Sequence, residues 1–252
     1  MVDLAADAGA WAIKIQTFFA SDLSDDWKDR FDYYKERELS WDDHKQFVER
    51  CNKKNIIPMT SVYTSKYIPK LKDCGFRWIK IGSADNVYPD LFWAYKKAGF
   101  RVIVSTGGTN VFDKRIDHWE HADVLMHCVS EYPLDPNHAY LQRMNILKRL
   151  YNPFIGYSDH SRGENNIVSK TACLLGAIVI ERHFTGLDKS KTKDGHVSVD
   201  YDQLRDLCEF DSRLKFTDDH ELDAIPYSLI LGEQRREEVE LIEKYRTRWK
   251  RA

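Results

Sequence analysis

Short apolar stretches alternate with segments of helical periodicity along most of the chain. The apolar stretches are rich in β-branched residues and predict buried strands of a parallel sheet at residues 12–17, 56–61, 78–82, 101–106, 123–128, 154–157 and 177–181. Helical spacing is found at residues 2–8, 41–53, 89–97, 139–150, 166–175 and 200–214. Strands and helices that alternate in this way indicate consecutive βα units.

The order of these elements predicts the fold class. A helix precedes the first of the seven predicted strands, whereas a helix follows a strand in a (β/α) pattern, so we expect an eighth strand upstream of residue 1. Eight such units make a TIM (β/α)8-type barrel, here lacking its first strand, in the α/β class. The alternative is an open doubly wound sheet, which is disfavoured because no GxGxxG motif follows any predicted strand.

Two regions are predicted. Residues 1–214 form the N-terminally incomplete barrel domain, and residues 215–252 form a C-terminal helical extension. The charged helix expected at residues 233–251 carries apolar residues near helical spacing, which favours packing on the barrel or on a neighbouring subunit. A long loop at residues 18–39, rich in aspartate, lysine and aromatic residues, is expected to be a lid or binding loop.

Composition narrows the class of protein. The chain has 252 residues, 42% of them hydrophobic and 31% charged, with a net charge of −2, which excludes disorder and the strong basic field of a nucleic-acid binder. No apolar stretch approaches the roughly 18 residues of a membrane helix, and the first residues lack the features of a secretory signal. We expect a soluble, cytoplasmic protein with neither nucleic acid nor membrane as a partner. The five scattered cysteines, without a CxxC motif, do not favour disulfides or structural zinc.

Polar side chains at or just after the strand ends carry the functional signal. The carboxyl ends of barrel strands meet on one face, where active sites lie. The residues at these ends are Lys14, Gln16, Ser61, Lys80, Ser83, Asp85, Ser105, His127, Ser130, Tyr132, Ser158, His160, Glu181 and His183. Amines, hydroxyls and imidazoles gathered there predict a site for an anionic ligand.

Two pairs within this set indicate specific chemistry. Lys14 and Lys80 each lie inside an Ile-Lys-Ile stretch. If such a lysine points inward, its ammonium needs either a phosphate or carboxylate ligand or a carboxylate partner such as Glu181. The remaining possibility is that the lysine points outward. His160 and His183 end adjacent strands. Two imidazoles there hold a divalent metal with open positions for substrate, or else have a structural role.

Several longer motifs follow one another along the chain. They are Ala-Ile-Lys-Ile-Gln-Thr-Phe at 12–18, Lys-Ile-Gly-Ser at 80–83, Val-Ser-Thr-Gly at 104–107, His-Cys-Val-Ser-Glu-Tyr-Pro at 127–133, Gly-Tyr-Ser-Asp-His at 156–160 and Glu-Arg-His-Phe-Thr at 181–185. From about residue 1 to about residue 214, the chain resembles the sialic acid synthase family, the phosphoenolpyruvate-dependent synthases of nonulosonic acids.

The resemblance implies a TIM-barrel transferase of carbohydrate biosynthesis, usually a homodimer. Such an enzyme condenses phosphoenolpyruvate with an N-acetyl hexosamine, typically N-acetylmannosamine, to give a sialic-type acid such as N-acetylneuraminate and phosphate. His160 and His183 match the ligands of a divalent metal, commonly manganese, with magnesium and cobalt as alternatives. The phosphoenolpyruvate site matches Lys14, Ser61, Lys80, Ser83, Ser105, Ser130 and Ser158, and Gln16 and Tyr132 match positions that face the sugar.

Some positions depart from the family pattern. Asp85 stands where the family has a catalytic glutamate, and Asp194-Gly195-His196 replaces an adjacent Asp-His. The family's first strand and its C-terminal antifreeze-like domain have no counterpart in the sequence. These differences keep two alternatives open: a truncated or inactive barrel that binds a ligand or partner without turnover, and a phosphoenolpyruvate aldolase-type synthase that uses a sugar phosphate.

Overall fold

Eight parallel strands, each hydrogen-bonded to the next in sequence, form the sheet in this computed structural model, which describes residues 1–152, 154–162, 166–210 and 236–250. The strands are β1 Ala12–Gln16, β2 Ile57–Val62, β3 Trp78–Ile81, β4 Arg101–Ser105, β5 Val124–Cys128, β6 Ile155–Asp159, β7 Ile180–Phe184 and β8 Ser198–Val199. This order confirms the predicted TIM-type barrel.

Helices follow the strands along the chain. They are α1 Val2–Asp7, α2 Phe31–Lys35, α3 Trp41–Lys53, α4 Ile68–Cys74, α5 Pro89–Lys97, α6 Arg143–Leu150, α7 Ile167–Leu174, α8 Tyr201–Cys208 and α9 Arg236–Arg246. The bounds of α3 and α5 equal those predicted. None of the described helices combines the length and the apolar character needed to cross a membrane.

The seven strands that the sequence pattern predicted are β1 to β7, and one further short strand follows them. This strand, β8, pairs with β7 through His183–Ser198 and Phe184–Val199. The strand expected upstream of residue 1 stays a prediction. Two residues are too few to produce a hydrophobic period, so the pattern does not detect this strand. Strands β1 and β8 are the two ends of the sheet order, and α1 packs against both β1 and α8.

Helix α3 shows why the sequence specifies its bounds so closely. Ser40 accepts a hydrogen bond from the Asp43 backbone N–H at 3.1 Å, and the Asp43 carboxylate accepts one from the Ser40 backbone N–H at 2.8 Å. This capping box satisfies two donors that a helix start otherwise leaves unpaired. His44, Val48 and Cys51 recur at helical spacing and are buried against the sheet.

We expect Ser40→Ala to lower the free energy of unfolding by about 1 kcal/mol, because it removes the side-chain acceptor at the start of α3. Urea unfolding followed by far-UV circular dichroism measures the change. Ser40→Thr is the matched control, since threonine keeps the hydroxyl and should retain most of the stability. An alanine variant as stable as the threonine variant would contradict this role.

Alternation along the strands divides the barrel interior into an apolar and a polar part. Because successive side chains on a strand point to opposite faces, every second residue enters the interior. The deeper part is apolar and is built around Met59, Ile103, Val124 and Met126. The helices cover the outer face of the sheet through a larger core that includes Phe92, Tyr95 and Trp119.

The C-terminal extension lies over the carboxyl ends of the strands. Helix α9 ends at Arg246 rather than near residue 251, and Trp249 forms an antiparallel bridge with Leu23. The predicted packing on the barrel is therefore confirmed, but the predicted helix is too long. Residues 211–235 and 251–252, including the predicted boundary between 214 and 215, lie outside the described residues.

Candidate active site

Two lysines and a carboxylate form the centre of the site. Lys14 Nζ on β1 donates to Ser61 Oγ at 2.9 Å. Lys80 Nζ on β3 donates to Glu181 Oε1 at 2.5 Å, and Ser158 Oγ donates to the same oxygen at 3.1 Å. Lys80 therefore pairs with Glu181, which is one of the possibilities that the sequence left open for the two lysines.

The charges at this centre do not balance among themselves. Burial lowers the pKa of Lys14, an effect that Glu181 opposes and Lys80 reinforces. Burial alone would raise the pKa of Glu181, but the charges of Lys80 and Lys14 hold it well below its usual range. Two ammonium groups thus share one half-buried carboxylate, and an anionic ligand would complete the neutralisation.

Hydroxyl and thiol groups gather around Gly107, directly after β4. The Gly107 N–H donates to Ser83 Oγ at 3.1 Å, and Ser83 Oγ lies 3.1 Å from Cys128 Sγ. A Cβ at residue 107 would lie 2.7 Å from both Ser83 Oγ and Ser130 Oγ, so this close approach requires glycine. Ser105 Oγ is buried and has no hydrogen-bond partner within the described ranges, which leaves it available to a ligand.

Cys128 and His127 face opposite sides of β5, as their adjacent positions predict. The His127 imidazole points to the helical layer, where Nε2 lies 2.8 Å from the Ala139 carbonyl oxygen. Burial lowers the pKa of His127 to about 3, with the nearby Arg143 adding to the effect. Cys128 is buried as predicted, but its contact with Ser83 places it at the polar end of the interior.

His160 and His183 stand next to each other at the ends of β6 and β7. Their ring centroids are 5.7 Å apart. His160 Nδ1 donates to the Val129 carbonyl at 2.8 Å, which leaves Nε2 as the acceptor, and Tyr132 Oη donates to it at 2.7 Å. Burial, followed by the neighbouring His183, lowers the pKa of His160 to about 3, so this imidazole is neutral, the form that binds metals.

Few other side chains that could bind a metal lie near the two imidazoles. His183 Nδ1 lies 3.8 Å from Asp194 Oδ2, while His196 is exposed. No cluster of three or more histidine, cysteine, aspartate or glutamate side chains suited to a metal occurs in the described part of the chain. The predicted metal site at His160 and His183 therefore stays a prediction.

The other predicted residues surround this centre. Asp85 is buried in the turn after β3, where its charge acts on Tyr63 and Arg248. Gln16 is exposed and accepts a hydrogen bond from Tyr63 Oη at 2.9 Å. The Tyr132 side chain stacks on His160 with 4.0 Å between ring centroids and remains 45% exposed. Gln16 and Tyr132 therefore lie on the exposed side of the site.

Sequence analysis missed a carboxylate that comes from α9. Glu238 Oε1 accepts hydrogen bonds from the backbone N–H groups of Gly108 at 2.9 Å and Ser130 at 2.8 Å. One signal in the sequence pointed to it: Glu238, Ile242 and Arg246 recur every four residues on one face of a charged helix. All three are buried.

The predicted binding loop at residues 18–39 meets the chain that follows α9. The Ser24 N–H donates to the Arg248 carbonyl at 3.0 Å, and the Lys250 N–H donates to the Asp22 carbonyl at 2.8 Å. The Trp249 ring packs against Phe18, with centroids 5.7 Å apart, and against Tyr34, at 5.4 Å. This loop and the C-terminal residues together form one cover over the site.

A TIM-type barrel whose strand ends gather lysines, hydroxyls and paired imidazoles has the architecture of an enzyme that acts on anionic substrates. The NeuB family model matches residues 1–216, which is most of the chain. The chain belongs to the NeuB family.

Two relatives of this chain are named synthases. The chain is 37% identical over 194 residues to the N-acetylneuraminate-9-phosphate synthase of Drosophila melanogaster, covering 72% of this chain and 50% of that protein. It is 29% identical over 232 residues to the N,N'-diacetyllegionaminic acid synthase of Campylobacter jejuni, covering 82% of this chain and 68% of that protein. The chain thus spans about half to two thirds of the length of these relatives.

A solved structure supports the same grouping. The N-acetylneuraminic acid synthetase of Leptospira borgpetersenii, crystallised with citrate, superposes with a TM-score of 0.76 at 30% identity. The match covers 82% of this chain and 74% of that one.

Proposed function

We propose that this chain condenses phosphoenolpyruvate with an N-acetylated hexosamine, N-acetylmannosamine or a related sugar, to give a nonulosonic acid and phosphate. The observation that carries the proposal is the sharing of Glu181 between Lys14 and Lys80, next to His160 and His183. This arrangement combines an anion site with a pair of neutral imidazoles. Membership of the NeuB family supports the same reaction class.

In this proposal, the barrel binds phosphoenolpyruvate through its polar end. Lys14 and Lys80 neutralise the phosphate and carboxylate groups, and hydroxyls donate further hydrogen bonds. The hydroxyl donors are Ser61, Ser83, Ser105, Ser130 and Ser158. Ser105 Oγ has no hydrogen-bond partner among the described residues, so it can donate to a ligand without breaking an existing hydrogen bond.

The reaction forms one carbon–carbon bond. C3 of phosphoenolpyruvate attacks the aldehyde carbon of the open-chain sugar, whose oxygen takes up a proton. Water adds to C2 and gives up a proton, and the tetrahedral intermediate then releases phosphate as its C2–O bond to the phosphate breaks. Gln16 and Tyr132 orient the sugar from the open side, and Asp85 handles a proton as general acid or base.

The proposal includes a divalent metal, manganese first and magnesium or cobalt as alternatives, held by His160 and His183. Such an ion supplies Lewis acidity that polarises the sugar aldehyde. The Val129 carbonyl prepares His160 for this role because it fixes the tautomer that presents Nε2 outward. Tyr132, which now donates to that nitrogen, would turn toward the sugar.

We expect phosphate release from phosphoenolpyruvate when N-acetylmannosamine and manganese are added, and a loss of about 100-fold or more after treatment with EDTA. A phosphate-specific colorimetric assay measures the rate. His160→Ala should abolish the rate, whereas His121→Ala, at an exposed histidine, should not change it.

The sugar that supports phosphate release distinguishes the proposed synthase from a sugar-phosphate synthase and from a barrel without turnover. Release only with the 6-phosphate of N-acetylmannosamine would move the proposal to a sugar-phosphate synthase. No release with any N-acetylated hexosamine, despite binding of phosphoenolpyruvate, would refute the proposed activity and favour a barrel that binds without turnover.

The proposal also includes a cytoplasmic homodimer. Its support is the resemblance to the sialic acid synthase family rather than an interface in this chain. Light scattering of the purified protein measures the oligomeric state directly.

A further inference from the structure

Helix α9 contacts the turn after β4 over three successive helical turns. Glu238 Oε1 accepts from the Gly108 N–H, the side chain of Ile242 lies over the Gly108 Cα, and Arg246 Nη2 donates to Thr109 Oγ1 at 2.9 Å. A Cβ on Gly108 would come within 2.5 Å of Ile242 Cγ1. One face of the helix is therefore fitted closely to Gly108 and Thr109.

The atoms that hold Glu238 form an anion site. The Gly108 and Ser130 N–H groups converge on one carboxylate oxygen from the ends of two adjacent strands. Backbone N–H groups arranged in this way favour any anion, carboxylate or phosphate alike. The positive charge of Arg143, which is buried behind this turn and donates to the Thr109 carbonyl, interacts favourably with Glu238.

This anion site is continuous with the predicted phosphoenolpyruvate site. Ser130 supplies one of its two N–H donors, and Ser130 Oγ, Ser83 Oγ and Cys128 Sγ surround the adjacent Gly107. Burial raises the pKa of the Cys128 thiol, and the charge of Glu238 contributes to that rise, which reflects how near the carboxylate is. Glu238 is itself buried, so its carboxylate occupies the donors rather than sharing them with water.

We propose that α9 is an intramolecular competitor, in which the Glu238 carboxylate occupies backbone donors that an anionic ligand needs, so that such a ligand binds only as Glu238 leaves them. The regulatory role rests on the proposed function, since phosphoenolpyruvate is then the anion concerned. Occupation of the donors by Glu238 does not depend on that identity.

The competition raises the apparent dissociation constant of the ligand. If the donors are free only part of the time, the apparent dissociation constant equals the intrinsic constant divided by the free fraction. Removal of the charge on Glu238 weakens two charge-assisted hydrogen bonds and so raises that fraction. The chain from residue 247 to 250 remains attached to the loop through the bonds of Ser24 and Lys250, so the helix would stay close after it is displaced.

The test is isothermal titration calorimetry of the 252-residue chain with inorganic phosphate and with phosphoenolpyruvate. Glu238→Gln should bind both about tenfold more tightly than the unmodified chain. Glu240→Gln is the matched control, because it removes the same charge from an exposed position of the same helix. Ile242→Ala keeps the carboxylate but loosens the helix, and it should also tighten binding severalfold. Equal affinities in Glu238→Gln and Glu240→Gln would overturn the proposal.

Hydrogen exchange followed by mass spectrometry gives an independent readout. In the unmodified chain, saturating phosphoenolpyruvate should speed the exchange of amides in residues 236–246. Unchanged or slower exchange there would overturn the proposal, since a displaced helix loses protection.

The two proposals fail in different ways. Tighter anion binding in Glu238→Gln without phosphate release from any hexosamine mixture would retain the competitor and refute the synthase. Turnover with identical affinities in both glutamine variants would do the reverse.

Discussion

Lys80→Met is expected to weaken phosphoenolpyruvate binding by about 100-fold and to lower the free energy of unfolding by about 3 kcal/mol. The first effect follows because the Lys80 ammonium is one of two cations at the polar end of the barrel. The second follows because Glu181, which is half-buried and accepts from Lys80 at 2.5 Å, would lose its main partner. Titration calorimetry and urea unfolding measure the two effects separately.

The controls for this substitution distinguish charge from packing. Lys53→Met removes a lysine at an exposed position and should change neither quantity. The double variant Lys80→Met with Glu181→Gln removes both charges, so it should recover stability but not binding. Binding by Lys80→Met that equals that of the unmodified chain would refute the role of Lys80 in the anion site.

The same pair gives a dependence of stability on pH. The pKa of Glu181 in the folded chain lies well below its ordinary value near 4.5, so the folded state favours the ionised form. Its stabilisation is complete above that ordinary pKa and is lost as the pH falls below it toward the folded pKa. In Lys80→Met, burial is no longer offset by Lys80, and this acid-sensitive contribution should shrink. Urea unfolding at a series of pH values between 3 and 7 checks the difference.

Arg182→Leu is expected to lower the free energy of unfolding by about 3–5 kcal/mol. Arg182 Nη1 lies 2.8 Å from Asp159 Oδ2, and both side chains are almost fully buried, with exposed fractions of 2% and 0%. Removal of the guanidinium would leave a buried carboxylate with hydrogen bonds from Ser169 Oγ and the Ser161 N–H only, among the described residues. Thermal and urea unfolding measure the loss.

A rescue variant tests the cause of that loss. Arg182→Leu combined with Asp159→Asn leaves no buried charge and should recover a large part of the stability. Arg101→Leu is the control, because the Arg101 side chain is 66% exposed and its partner Asp123 keeps Lys96 at 2.8 Å, so we expect a change of less than about 1 kcal/mol. If the double variant were no more stable than Arg182→Leu, the loss would come from packing rather than from the unpaired charge.

Local signals account for the parts of the fold that the sequence predicted well. The bounds of α3 were predictable because Ser40 and Asp43 form a capping box whose residues are adjacent in sequence. Alternation along the strands placed Lys14 and Lys80 opposite their isoleucine neighbours, while the choice between an inward and an outward orientation stayed open. The gathering of polar residues at the strand ends was predictable, because it needs only the strand assignment.

Pairing across the barrel was less predictable, because it depends on distance in space. The sequence left three possibilities for Lys80, and the structure selects Glu181, which is 101 residues away along the chain. Glu238 could not be assigned to Gly108 and Ser130 for the same reason, since a glutamate on a charged helix is usually exposed. Strand β8 was missed because two residues carry no period.

The separation of Glu238 from its two donors also bears on the order of folding. Gly108 and Ser130 precede it by 130 and 108 residues, so these hydrogen bonds close long loops. Contacts of such high sequence separation form late, after the loop-closure entropy has been met by nearer contacts. During synthesis, both donor amides also leave the ribosome well before the glutamate that will occupy them. Until residue 238 has been synthesised, the two amides lack the carboxylate that accepts from them, so we expect the anion site of the nascent barrel to be open to phosphate at that stage.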